Sequence, residues 1–160
     1  MTIEALAQSG QGERRTMLRD QVEDVRKREP ALLRQRAGGC QFCGQMITVE
    51  VPEGWKEEKI DELATECCKC QEAEGYAYKK RRKERAVEAI LKQFGPYQET
   101  GIIREGTMEL LAEIADQVVE DKIQSGTIDI GGGLKAKISM TAKGAVKVER
   151  RKTEKESKEA

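Results

Sequence analysis

The chain contains no histidine. It therefore builds no Ser/His/Asp triad, no Cys/His nucleophile pair, no His-Glu-x-x-His metalloprotease helix and no histidine proton shuttle of its own. Aromatic residues make up only 4% of 160 residues: Phe42, Trp55, Tyr76, Tyr78, Phe94 and Tyr97. With 36% of the chain charged, so little bulk predicts small packed units joined by exposed helices, with a metal helping where side chains are scarce. No apolar run approaches the roughly 20 residues that span a bilayer. The N-terminus also lacks the basic-then-apolar order of a secretory signal. These absences predict a soluble, cytoplasmic protein. In a reducing compartment the five cysteines read as metal ligands, and an odd number fits a disulfide framework poorly.

The charges that are present cancel overall, with 29 basic and 29 acidic residues, yet they are sorted along the chain. Residues 1–36 carry a net +2, residues 37–75 a net −6, residues 76–92 a net +5, residues 93–125 a net −5 and residues 126–160 a net +4. Basic blocks between acidic ones either bind phosphate or pair with their neighbours. Pairing is the slightly favoured reading.

Periodicity predicts an α+β fold in four parts. A first helix covers 13–36, where Leu18, Val22, Val25 and Leu32 recur at three- and four-residue steps, weakened at Pro30. The first dozen residues, with Ser9-Gly10-Gln11-Gly12, read as a frayed start or a short turn. Gly38-Gly39 marks a boundary, and Met46 to Val51 is a β-branched strand. A short helix follows over 56–65. A longer one covers 71–94, stopped by Gly95-Pro96. Thr107 is a fair N-cap for a helix striped by Leu111, Ile114 and Val118. Alternation then takes over. Leu134, Ala136, Ile138 and Met140 share one face of a strand and Lys135, Lys137, Ser139 and Thr141 the other, so 127–151 is a β-hairpin or meander. Gly131-Gly132-Gly133 lacks the Gly-Lys-Ser/Thr of a P-loop and reads as a strand connection or bulge. The parts are 1–37, 38–94, 95–151 and a charged, disordered tail over 152–160.

The strongest chemical signal is Cys40-x2-Cys43, followed after 23 residues by Cys67-x2-Cys70. Two such pairs bring four thiolates to one tetrahedral ion, for which zinc is the usual occupant. Gly44 permits the tight knuckle turn after the first pair, and the second pair precedes a long helix. Knuckle, strand and helix in this order resemble a treble-clef or zinc-ribbon module over residues 38–94. Cys68 interrupts the second pair, so Cys68-x-Cys70 is the other ligand choice. Iron-sulfur ligation and a redox dithiol are the competing uses of the cluster. Four cysteines close the coordination sphere, which makes the metal structural and the protein non-enzymatic.

Six of the seven residues from Lys79 to Arg85 are basic: Lys79, Lys80, Arg81, Arg82, Lys83 and Arg85. With Lys135, Lys137 and Lys147 they are the candidate contacts to nucleic acid, held through phosphates. The bland alternative is that the run answers its acidic neighbours. The competing function is a protein-binding inhibitor or adaptor acting on host machinery such as an RNA-guided nuclease. The apolar stripes at Leu18–Leu32 and Leu111–Val118 also allow a homodimer.

Three stretches resemble small accessory proteins of phages and prophages of gut bacteria: Cys40-Gln41-Phe42-Cys43-Gly44-Gln45, Asp61-Glu62-Leu63-Ala64-Thr65-Glu66-Cys67-Cys68, and Ser139-Met140-Thr141-Ala142-Lys143-Gly144 with Val146-Lys147-Val148. The resemblance implies an accessory role in a mobile element and brings no mechanism with it.

Overall fold

The computed structural model describes residues 16–153. Its elements are α1 (Met17–Arg28), a 3-10 turn (Pro30–Leu32), β1 (Leu33–Gly39), β2 (Met46–Pro52), α2 (Glu57–Cys67), α3 (Gln71–Glu99), α4 (Thr107–Val119), β3 (Ser125–Gly131), β4 (Leu134–Met140) and β5 (Val146–Lys152). The fold is α+β, with antiparallel strands throughout. The turn expected in the first dozen residues and most of the expected tail lie outside the described residues. The chain divides into two units between Arg81 and Arg82, inside α3.

In the first unit β1 and β2 form a hairpin in which Leu33 pairs with Pro52 and Gly39 with Met46. The knuckle closes it. The expected helix over 13–36 therefore ends early. Thr16 caps α1 by accepting from the Arg19 amide, Glu29 terminates it, and Leu33–Gly39 is a strand. Nothing in Leu-Arg-Gln-Arg-Ala-Gly-Gly favours a strand on its own. Its partner does: Met-Ile-Thr-Val-Glu-Val has strong β propensity, and the knuckle turns the two segments antiparallel, so tertiary pairing overrides local preference. Leu33, Val49 and Val51 then face Leu18 and Val22 of α1 and Ile60, Leu63 and Ala64 of α2 in one core.

The second unit covers one face of a three-stranded sheet, ordered β3-β4-β5. Ala136, Ile138 and Val148 on the inner face pack with Leu111, Ala115 and Val118 of α4 and with Ala86, Ile90 and Phe94 of α3. The alternation read for β4 is this sheet's two-sidedness, and the triple glycine connects β3 to β4 with a register shift between Asp129 and Gly131. Two helix limits differ from the sequence reading. Helix α3 runs through Gly95-Pro96 to Glu99, because Phe94 and Tyr97 are both held by the core. Its end is closed by Ile102 and Ile103, whose amides donate to the Tyr97 carbonyl at 3.0 and 3.2 Å. Gly101 supplies the left-handed residue (φ 76°) this C-terminus uses. At α4, Gly106 takes the N-cap position with φ 83°, and Thr107 is the first helical residue.

Candidate metal centre

The centre is assembled by the knuckle between β1 and β2 and by the linker between α2 and α3. In the knuckle the Cys40 amide donates to the Gln45 carbonyl at 3.0 Å and the Gly44 amide to the Cys40 carbonyl at 2.9 Å. Gly44 has φ 73°, a conformation that suits glycine. Helix α2 holds this turn in place. Asp61 Oδ1 accepts from the Gly39 amide at 2.9 Å, and Thr65 Oγ1 accepts from the Gln41 amide at 3.1 Å while donating to the Asp61 carbonyl. Asp61 and Thr65 escaped the sequence reading. Their signal is a polar pair at i, i+4 on a helix face otherwise lined by Ile60, Leu63 and Ala64.

The sulfurs of Cys40, Cys43, Cys68 and Cys70 all lie within 4.8 Å of one another. Cys43 and Cys68 are 3.5 Å apart and Cys40 and Cys70 are 3.9 Å apart. A tetrahedral ion with metal–sulfur bonds of about 2.3 Å sets its sulfurs about 3.8 Å apart. The gathering therefore fits one tetrahedral ion. The structure selects Cys68 where the sequence favoured Cys67. Cys67 is the last residue of α2 and its side chain belongs to that helix's surface, where Sγ accepts from Arg19 at 3.5 Å. Cys68 is the C-cap, with extended backbone (φ −66°, ψ 142°). The change from helical to extended backbone between the two residues turns the second thiol towards the knuckle. The commoner C-x-x-C spacing is overruled by where the helix stops.

The chain matches no family model, no curated protein and no solved structure. The likeness to phage accessory proteins has no match behind it, and the chemistry rests on the site's own geometry.

That chemistry is cationic in its demand. The Cys40 thiol is brought down from 9.0 to about 7, first by the Cys43 backbone N–H, against burial, with the Phe42 N–H helping. The Cys70 thiol goes the other way. The Ala73 N–H lowers it, but burial and the neighbouring Cys68, Cys40 and Cys43 outweigh that and push it up to about 12. Cys43 is likewise raised: the Gln45 N–H lowers it, and Cys68, burial and Cys40 prevail. One thiolate forms readily here, and each further one meets the charge of those already present. A bound cation removes that repulsion, so the donor set fits a thiophilic metal ion.

The basic residues singled out in the sequence are divided between the two units. In the first unit Lys79 is exposed, Lys80 Nζ lies 2.5 Å from both Glu62 Oε1 and Glu66 Oε1, and Arg81 is buried with its guanidinium 5.3 Å from the Tyr78 ring. In the second unit Lys83 Nζ sits 2.8 Å from both Asp116 and Glu120, Arg82 packs on Gly144 and Met140, and Arg85 is exposed. Lys80 and Lys83 answer acidic neighbours. Lys135 and Lys147 are exposed and Lys137 is half-buried on the outer side of the sheet.

Proposed function

We propose that the protein is a non-enzymatic, zinc-stabilised binding module that contacts nucleic acid, with the outer face of the C-terminal sheet as its principal surface. Zinc is the ion that best suits four thiolates at this spacing: it is redox-inert, tetrahedral and commonly bound by four cysteines in structural sites. The observation that carries the nucleic-acid reading is the register of the sheet. Lys135 is paired with Arg151, Lys137 with Glu149 and Ser139 with Lys147, which sets four cations on one face of two strands. Glu149 is the acid on these two strands, with Asp129 of β3 paired to Lys135 beside them; the Glu149 carboxyl is held below the usual range, first by the hydrogen bond and charge of Lys147, then, against burial, by Lys137 and Arg151. No aromatic residue lies on these strands. The face therefore suits phosphates rather than stacked bases.

The test is fluorescence anisotropy with labelled duplex and single-stranded 30-mers across a salt series. Lys135→Glu, Lys137→Glu and Lys147→Glu together are expected to weaken binding at least tenfold and to flatten the salt dependence, since each lost phosphate contact removes about 0.9 from the logarithmic slope on duplex DNA. Bound zinc should be unchanged. Unaltered affinity in the triple variant overturns the surface. A partner protein that co-purifies at fixed stoichiometry after nuclease digestion favours the inhibitor or adaptor of a mobile element instead.

A further inference from the structure

The four sulfurs are not equivalent. Cys43 is the exposed member of the group, whereas Cys40 and Cys68 are buried and Cys70 is half-buried. The Cys43 and Cys68 sulfurs are 3.5 Å apart, and those of Cys40 and Cys70 are 3.9 Å apart. We propose that Cys43 is a peroxide-reactive ligand and Cys68 its resolving thiol, so that hydrogen peroxide converts the pair to a disulfide and ejects the metal. The inference rests on the metal reading above.

The steps balance. The Cys43 thiolate attacks one peroxide oxygen; the S–O bond forms, the O–O bond breaks and hydroxide leaves. The Cys68 thiolate then attacks the Cys43 sulfur; the S–S bond forms and the sulfenate oxygen leaves as a second hydroxide. Each sulfur supplies one electron, and with two protons the peroxide ends as two waters. Access selects the first sulfur and proximity the second. Cys40 and Cys70 remain, and two thiolates are too few to hold the ion against solvent. The knuckle and the α2–α3 linker, joined by the metal before oxidation, stay joined by the disulfide after it. Cys67 takes no part, because its sulfur is turned to Arg19 of α1 and lies outside the group.

The experiment starts with metal analysis of the full purified chain and continues with hydrogen peroxide in the presence of a zinc-binding chromophore. Products are mapped as non-reduced peptides. One zinc released for two thiols consumed, with Cys43–Cys68 as the first bridge and full reloading after reduction, is the expected result. Cys67→Ser should leave the release rate within twofold of the wild type. The bridge map is read on the wild type and so does not depend on any ligand variant folding. A first bridge between Cys40 and Cys70, a bridge that includes Cys67, or release with sulfinic acid and no bridge overturns the proposal; so does retention of zinc after thiol loss. A chain that carries no metal before peroxide is added overturns the metal reading itself, and the initial analysis distinguishes that failure from the others.

Discussion

A Cβ atom at Gly38 would stand 2.7 Å from the Ile60 carbonyl oxygen and 2.8 Å from the Ala64 Cβ. At its neighbour Gly39 the nearest atom is the Met46 sulfur at 3.4 Å. The first glycine is thus required by the close approach of β1 to α2, and the second has room. Gly38→Ala is expected to cost roughly 1–3 kcal/mol, the range for overpacking against backbone that cannot yield. Gly39→Ala should cost well under half of that. Chemical denaturation of both variants in the zinc-loaded form checks the contrast, and equal losses would refute it. In the sequence the two glycines are indistinguishable and read as a boundary, because only the approach of a helix separates their roles. The same limit applies to the cysteines. The knuckle thiols Cys40 and Cys43 could be paired from sequence because a turn is local, whereas the gathering of Cys68 with them depends on the residue at which α2 ends.

Among the elements, α2 and α3 are locked by a carboxylate that the sequence presents as one more surface acid. The Glu66 side chain has no exposed surface, accepts from the Thr16 hydroxyl and pairs with Lys80. Glu62 shares the same ammonium and also accepts from the Tyr76 hydroxyl at 3.3 Å. Removing one partner of a buried ion pair leaves the other charged and unmatched. Lys80→Met should therefore destabilise the first unit by about 3 kcal/mol, and Glu66→Gln added to it should restore part of that loss. A double-mutant cycle followed by thermal unfolding measures the coupling; purely additive losses would show that the pair is not one unit. Burial draws the Lys80 ammonium down, but its hydrogen bonds to Glu62 and Glu66 prevail and hold it above 10.5. A raised folded-state value means that the pair's contribution is complete below the unfolded value and is lost as pH rises through the folded one. The cycle is therefore expected to be flat between pH 6 and 9. Helix periodicity made α2, α3 and α4 legible in outline. Strand β1 was hidden because its stability comes from pairing, and the continuation of α3 past Pro96 because it comes from packing.

At the scale of the whole chain, the alternating charge blocks gave little guide to the division of labour. The +5 block spans the boundary between Arg81 and Arg82, and much of it is spent on local pairs. What separates the units is how each obtains its core. The second has Phe94, Ile90, Leu111, Val118 and Ile138 closed over one sheet face. The first has Leu18, Val22, Leu33, Val49, Val51, Ile60, Leu63 and Ala64, with no fully buried aromatic among them, and a satellite cluster of Cys40, Cys68 and Ala73 beside the candidate site. Cross-linking by a metal offsets chain entropy where apolar volume is short. Chelation should consequently abolish slow amide exchange over β1, β2 and α2 while the amides of α4, β3, β4 and β5 keep their protection. Hydrogen-exchange mass spectrometry before and after chelation, under reducing conditions, reads both outcomes in one experiment. Protection retained in the hairpin would show that the thiols add no stability through a metal. Protection lost in both units would show that the second core depends on the first, contrary to the self-sufficiency its packing implies.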